Sequence, residues 1–372
     1  MKVFNPPKKI NDAKTYSQFF YPIKPNKHIV VYFSGTQELL YQLQQWMDVF
    51  IEVDKKHPVL IIMRHQTTKL KFQNDNRLPS LHFLTLTELL ECYNKNEFPL
   101  ILYVNNNQKN FQSLIYNKAL HIHLNHGESE KESMRSNQAK AYDYVFTVGK
   151  RGTQRYQQNL LNFNPEHFIE VGRPQLDFIE PLIFDKEDKT VILYAPTWEA
   201  THSSMNYTSL KKYGLPLVLQ LLKNPNFHLI YRPHSSTGTV DAEIKKIHQQ
   251  ILSLVNKSPN ATLMMQEEIN SIFTIIDFAF FDNSSVLIDY LHHNKPACYL
   301  EILELEEIQY LKKAYTTIHQ DNFSQIPDII NDEISNDPNK QQRDSVKELY
   351  LGNYEKNEST AKFISTLQEL IP

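Results

Sequence analysis

The feature that most constrains this fold is a run of short, continuous apolar segments, each followed by a polar turn and an amphipathic stretch. Residues 28–34 read HIVVYFS, 59–63 VLIIM and 100–104 LILYV. A strand with one face in water alternates apolar and polar side chains. A strand that is apolar throughout is buried on both faces, as in a parallel sheet covered by helices. Residues 121–124 and 144–148 continue the strand series. The pattern predicts intervening helices from Leu39 to Phe50, over 87–93 and over 111–118.

The rhythm then restarts. Strands are predicted at 190–194, 227–231, 275–281 and 297–300, with helices at 215–222, 242–254 and 286–292. The break falls between Gly172 and Lys189, where Gly172-Arg173-Pro174 and the charged run Asp185-Lys186-Glu187-Asp188 interrupt the pattern. A chain of 372 residues is long for one core and suits two. The expectation is two Rossmann-like, doubly wound α/β domains facing a cleft. The first spans 1–178 and the second 179–340. A helical segment over 341–372 packs back on the first.

Composition narrows the function classes. Lys and Arg number 39 against 42 Asp and Glu, which lacks the basic footprint of a nucleic-acid binder. The two cysteines, Cys92 and Cys298, make no Cys-x-x-Cys pair, so neither a disulfide framework nor a structural zinc site is expected. The amino terminus has no apolar signal core, and no apolar run reaches the ~18 residues of a membrane span. The expected location is cytoplasmic, with peripheral contact at the inner membrane surface left open. Lys2, Lys8, Lys9 and Lys14 with Phe19-Phe20-Tyr21 would serve such contact, or form a solvated tail and a core strand. No Gly-x-Gly-x-x-Gly, P-loop or His-Glu-x-x-His occurs.

Ligands of doubly wound sheets bind at the carboxyl ends of strands. Four strand ends carry candidates. Asn125-His126-Gly127-Glu128-Ser129 presents a histidine whose ordinary pKa suits a general base; the plain alternative is a turn. Ala195-Pro196-Thr197-Trp198 offers a hydroxyl on a stiff loop, or a rigid loop with Trp198 as a lid. Arg232-Pro233-His234 is a compact cationic group suited to a diphosphate, or an Arg–carboxylate closure. Asp282-Asn283-Ser284-Ser285 opens a helix, as an anion site or as an ordinary N-cap. Asp289 lies four residues after Ser285, to orient the loop or as a surface charge. Lys295 ends the same helix and complements its dipole. His121 and His123 read as strand residues.

Taken in order, His126-Gly127, Ala195-Pro196-Thr197-Trp198, Arg232-Pro233-His234 and Asp282-Asn283-Ser284-Ser285 with Asp289 and Lys295-Pro296 resemble the CDP-glycerol glycerophosphotransferase family, the teichoic-acid-polymerase-like enzymes. Gly172 to Asp177 resembles that family's domain junction. Two segments depart from its pattern: around His-Gly, Asn125 stands where Trp is usual and Glu128-Ser129 follow where Pro or Thr and a Lys are usual, and Asn283 stands where Tyr is usual before Ser-Ser. The resemblance implies a GT-B fold and transfer of a polyol phosphate from CDP-glycerol or CDP-ribitol to a capsule or teichoic-acid-like acceptor. By that likeness His126 and His234 are catalytic. Thr197, Arg232, Asp282, Ser284, Ser285 and Asp289 hold the donor, and Gly127 and Glu128 are acceptor-side candidates. Implied partners are the polymer or oligosaccharide acceptor, the membrane surface and other wall or capsule enzymes. No cofactor or obligatory metal is expected, because no carboxylate cluster for Mg²⁺ is recognisable. Two other readings fit the two-domain pattern: a GT-B glycosyltransferase using a nucleotide sugar, and a non-catalytic polysaccharide-binding homologue.

Overall fold

The structure, a computed structural model, describes residues 28–72, 75, 77–199, 206–303 and 306–371. The basic and aromatic positions between Lys2 and Tyr21 considered for membrane contact lie outside the described residues. Thirteen strands lie among them, in two sheets built of parallel strand pairs. The chain divides into two compact units. One comprises Met1–His126, Lys140–Val145 and Leu367–Pro372; the other comprises Gly127–Ala139 and Phe146–Thr366.

In the first unit, β1 (Ile29–Phe33), β2 (Val59–Met63) and β4 (Leu100–Tyr103) are buried at every position. They are the apolar runs of the sequence, and short β3 (Ser80–His82) flanks β2. The seven-stranded sheet has the order β3-β2-β1-β4-β5-β6-β7, with β5 at Leu120–His123, β6 at Tyr144–Thr147 and β7 at Phe168–Glu170; Phe146, Thr147 and β7 fall among the residues of the second unit. Strands β1 to β3 run outward one way and β4 onward the other, so the switch point lies between β1 and β4. The helices are α1 (Leu40–Gln44), α2 (Met47–Asp54), α3 (Gln66–Phe72) and α4 (Leu86–Lys95). Helix α4 starts on a capping box: Thr85 accepts from the Glu88 N–H while Glu88 accepts from the Thr85 N–H. The helix expected from Leu39 to Phe50 is broken into α1 and α2.

The helix expected over 111–118 does not form. Residues 108–112 make a 3₁₀ turn instead, because side chains there bond to the body of the unit. Asn110 Nδ2 donates to Asn105 O at 2.6 Å and to the Tyr142 hydroxyl at 3.1 Å. The Ser113 hydroxyl meets that of Tyr93 at 2.5 Å.

In the second unit the sheet order is β10-β9-β8-β11-β12-β13. These are β8 (Thr190–Ala195), β9 (Phe227–Tyr231), β10 (Ala261–Leu263), β11 (Phe278–Phe281), β12 (Ala297–Leu300) and β13 (Thr316–Ile318). Alternation along β8 explains its unbroken hydrophobicity. Val191, Leu193 and Ala195 enter one core and Ile192 and Tyr194 the other. Each fully buried aliphatic side chain contributes roughly 1.5–3 kcal/mol. The switch point lies between β8 and β11.

The helices of this unit are α5 (Lys150–Asn159), α6 (Leu215–Leu222), α7 (Ala242–Lys257), α8 (Ile269–Ile275), α9 (Ser285–Tyr290), α10 (Gln309–Ala314), α11 (Ile326–Asn336) and α12 (Lys340–Leu351). Last comes α13 (Glu358–Leu370), whose final residues fall in the first unit. The strand expected from Ile275 begins only at Phe278. Glu268 caps α8 by accepting from the Ser271 N–H, and Ile275 ends that helix. The single helix expected from Gln341 to Leu370 is two, parted at Gly352, whose φ of 76° a side chain would resist. Cys92 and Cys298 are buried and free. Among the described residues no helix is long and apolar enough to cross a membrane.

Candidate functional site

The second unit gathers its polar groups where β8 and β11 end, at the switch point of its sheet. Asp282 follows β11 and is fully buried. Its Oδ2 accepts from the Thr197 N–H at 2.9 Å and the Ser209 N–H at 3.0 Å, so one carboxylate oxygen fixes two loops. Its Oδ1 has no partner among the described residues. Burial pushes the Asp282 carboxyl up to about 7 against the hydrogen bonds and the charge of Lys131 that pull it down.

Lys131 is the residue that sequence reading passed over. Its Nζ lies 3.4 Å from Thr197 Oγ1 and 5.9 Å from the centre of the Tyr207 ring. Burial lowers its pKa while Asp282 raises it. The signal available in the sequence was its place in the loop after His126-Gly127, five residues beyond the histidine.

His234 stacks on Trp198 with centroids 5.7 Å apart and planes 17° from parallel. Its Nδ1 accepts from the Ser236 N–H at 3.1 Å, which leaves the neutral ring's proton on Nε2 as a donor. Burial first, then Lys131 and Arg232, hold this imidazole down at about 4, so it is neutral at physiological pH. Arg232 donates to Pro233 O at 3.2 Å and to Glu267 O at 3.4 Å, while its buried Nε has no partner among the described residues. The loop after His234 is held by Glu199, whose carboxylate accepts from the N–H groups of Gly238, Val240 and Asp241.

Ser284 occupies the N-cap position of α9, yet its side chain makes no capping hydrogen bond, and its buried Oγ has no partner among the described residues. An ordinary cap uses that oxygen. Gly127 lies against the start of the same helix. A Cβ there would stand 3.1 Å from Ser285 Cβ, so a larger residue would press on Ser285, while 3.8 Å to Arg173 Nη2 is an ordinary contact.

Two expected site residues are committed elsewhere. Glu128, taken as an acceptor-side candidate, is buried and its Oε1 receives both terminal nitrogens of Arg155. An isolated buried carboxylate is too costly to leave unpaired, and this one is neutralised inside the protein. Asp289, taken as a donor ligand, receives Arg173 Nε and Nη2 at 3.1 Å each and is likewise buried. It orients Arg173 beside Gly127 and Ser285. Lys295 does not complement its own helix; its Nζ caps α8 through the carbonyls of Phe273, Thr274 and Ile276 at 2.9, 3.3 and 2.7 Å.

His126 belongs to the first unit, at the end of β5. Its N–H donates to Asn125 Oδ1 at 2.9 Å, and Asn125 has a left-handed φ of 61°. Its ring meets Tyr41 edge-on with centroids 6.1 Å apart. Trp46 Nε1 donates to Asn125 O at 2.8 Å and fixes the turn. His121 and His123 are strand residues as read: His121 bonds Tyr103 and Tyr116, and His123 stacks on Tyr142.

Among the described residues no group of three or more His, Cys, Asp and Glu side chains is arranged to hold a metal ion. No curated protein matches the chain in sequence. Several solved structures share its fold. The wall teichoic acid polymerase TagF, soaked with CDPG, aligns with a TM-score of 0.61 at 14% identity over 97% of this chain and 93% of that one. MnaA of S. aureus with UDP aligns at 0.60 and 13% identity, over 93% and 98%. Anabaena HepE with UDP and glucose aligns at 0.59 and 10% identity, over 92% and 100%. These likenesses establish two parallel α/β units of GT-B type. The sequence profile of the CDP-Glycerol:Poly(glycerophosphate) glycerophosphotransferases matches residues 94–353, well over half the chain, and the chain belongs to that family.

Proposed function

We propose that this transferase moves a polyol phosphate, glycerol phosphate first and ribitol phosphate second, from a CDP-activated donor to a hydroxyl of a teichoic-acid-like or capsule polymer. The observation that carries the reading is the cluster formed by the residues after β8, β9 and β11 together with Lys131. Lys131, Arg232 and neutral His234 share one field, with unused donors on Arg232 Nε and Ser284 Oγ; Asp282 faces Lys131, Glu199 faces His234, and Glu267 and Glu268 face Arg232. Such a set suits a diphosphate, whose transfer depends on positioning and charge neutralisation.

In the proposed step the acceptor hydroxyl oxygen attacks the polyol-bearing phosphorus and its proton passes to His126. The bond from that phosphorus to the bridging oxygen breaks, and CMP leaves with the electron pair. Arg232 and Lys131 neutralise the charge on the phosphoryl oxygens, and the Nε2–H of neutral His234 donates a hydrogen bond to them. Charge carried by these side chains supports a reaction with no obligatory metal. Location at the cytoplasmic face of a membrane, alongside other wall or capsule enzymes, agrees with the two reduced cysteines and remains part of this proposal.

The test is CMP release from CDP-glycerol, then CDP-ribitol, with a panel of polyol-phosphate and sugar-terminated acceptors, in excess chelator. Acceptor-dependent CMP with a phosphodiester product is expected. His126→Ala should lose turnover by at least 100-fold and keep donor affinity within about twofold. A glycosidic product from a nucleotide sugar would overturn the reading, as would collapse of donor affinity in His126→Ala.

A further inference from the structure

The first unit carries a second polar assembly, at its own switch point between β1 and β4, that none of the donor chemistry uses. Ser34 follows β1 and its Oγ donates to Asn110 Oδ1 at 2.9 Å. Asn110 passes the link to Asn105 O at 2.6 Å. Asn105, two residues beyond β4, donates Nδ2 to Gln42 Oε1 at 3.1 Å, and Gln42 Nε2 donates to the Tyr41 hydroxyl at 3.4 Å. Tyr41 meets the His126 ring edge-on. The chain of contacts therefore runs from the end of β1, past β4, to the candidate base at the end of β5.

Three properties mark this assembly as a binding site. It stands where the strand order reverses, the crevice at which doubly wound sheets take ligands. It ends open, since Tyr41 is 37% exposed while Asn105 is only 3% exposed. It is also incomplete: Asn105 Oδ1 is buried with no hydrogen-bond partner among the described residues. An unmet buried carbonyl costs stability and is retained where a ligand or a rearrangement supplies its donor.

The side chains also state the chemistry. Ser34, Tyr41, Gln42, Asn105 and Asn110 are all neutral donors and acceptors. A site for a phosphate would hold a cation, as the second unit's does. Amides and hydroxyls in series instead match vicinal hydroxyl groups, each of which donates once and accepts.

We propose that Tyr41, Gln42 and Asn105 form a subsite for the neutral, polyhydroxylated end of a ligand, a polyol or sugar residue bearing the hydroxyl that reacts. Asn105 Oδ1 accepts from one hydroxyl, and Tyr41 holds the next beside His126. The assignment of this ligand as the acceptor rests on the transferase reading; the existence of the subsite does not.

Saturation-transfer NMR on the full chain, with glycerol, ribitol and a methyl glucoside as probes and no donor present, tests it. At least one probe should receive saturation, inorganic phosphate should not displace it, and Asn105→Leu should reduce the signal at least fivefold. Absence of transfer to every probe, displacement by phosphate, or an equal signal in Asn105→Leu overturns the proposal. Should Asn105→Leu fail to fold, Tyr41→Phe carries the test, because it removes only the hydroxyl; an unchanged signal there overturns it as well. Probes that bind through Asn105 without any CMP release from CDP-glycerol would sink the transferase reading and leave the subsite standing. CMP release with an acceptor KM indifferent to Asn105→Leu would do the reverse.

Discussion

Asp282 carries more of the proposed donor site than its neighbours because it is both a fastener and a charge. Its folded carboxyl is raised from an ordinary 3.8 to about 7, chiefly by burial. The folded chain therefore binds this proton more tightly than the unfolded chain does. The stability that its protonation supplies is complete below about pH 4 and falls away as pH rises toward 7. An anion brought beside Asp282 raises its pKa further. CDP-glycerol, whose diphosphate has no proton to lose near neutrality, should thus draw a fraction of a proton from solution on binding at pH 7 to 7.5. Calorimetry in buffers of different ionisation enthalpy reads that uptake directly. Asp282→Asn should abolish it while keeping an oxygen for the Thr197 and Ser209 N–H groups. Proton release, or an uptake that persists in Asp282→Asn, would contradict the placement of the donor. The sequence showed Asp282 as one polar residue among four. Its weight comes from the loops of Thr197 and Ser209 meeting on one oxygen, which no local pattern reveals. Lys131 was hidden for the same reason: it reaches Thr197 over 66 positions of sequence.

At the scale of elements, legibility followed the kind of face each one buries. Strands β1, β2, β4, β8 and β9 were readable because both their faces enter apolar cores. Helix α5 was not, because its buried residues are Arg151, Gly152, Arg155 and Tyr156 rather than an aliphatic stripe. Arg151 Nε and Nη2 reach the two oxygens of Glu130 at 2.8 and 3.1 Å, and Tyr350 on α12 donates to the same carboxylate at 2.6 Å. Arg155 pairs with Glu128. Helix α5 thus docks by charge onto the loop that carries Gly127 and Lys131. Removing one partner of such a pair strands the other in a dry interior, at about 3–5 kcal/mol. Glu128→Gln should lower unfolding free energy by an amount of that order in denaturant titration. Glu128→Gln with Arg155→Met should recover a substantial part of it, because the uncompensated charge is gone. If the single variant is as stable as the parent, the pair contributes nothing to docking α5. The parting of α12 from α13 at Gly352 was not read in the sequence, and neither was the anchor beyond it. Asp177, in the segment after Arg173, accepts from the Asn357 and Thr360 N–H groups at 2.9 and 2.8 Å and so caps α13 from a distance.

For the whole molecule, the two units differ in the chemistry of their switch points more than in their architecture. One gathers amides and hydroxyls, the other Lys131, Arg232, His234 and Asp282. A chain with a formal charge of -3 has no net positive field to concentrate the proposed phosphate-bearing donor, so under the proposed function recognition of its charge falls to the local cluster. This division makes a two-by-two expectation. A ligand that binds only the folded chain at one hundred times its Kd stabilises it by about 2.7 kcal/mol. Lys131→Met should remove most of the stabilisation by CDP-glycerol and leave the response to the neutral probe intact. Asn105→Leu should do the opposite. Differential scanning calorimetry of the two variants, each with each ligand at a fixed concentration set from the parent's Kd, reads all four combinations. Loss of both responses in either variant would mean that the two switch points do not bind separately. Loss of the CDP-glycerol response in Asn105→Leu alone would move the donor to the first unit and take the phosphate-binding role away from Lys131. The crossed pattern would assign charge and hydroxyl recognition to different sheets of one chain, which is the arrangement a transferase needs if an anionic donor and a neutral acceptor terminus are to be selected independently.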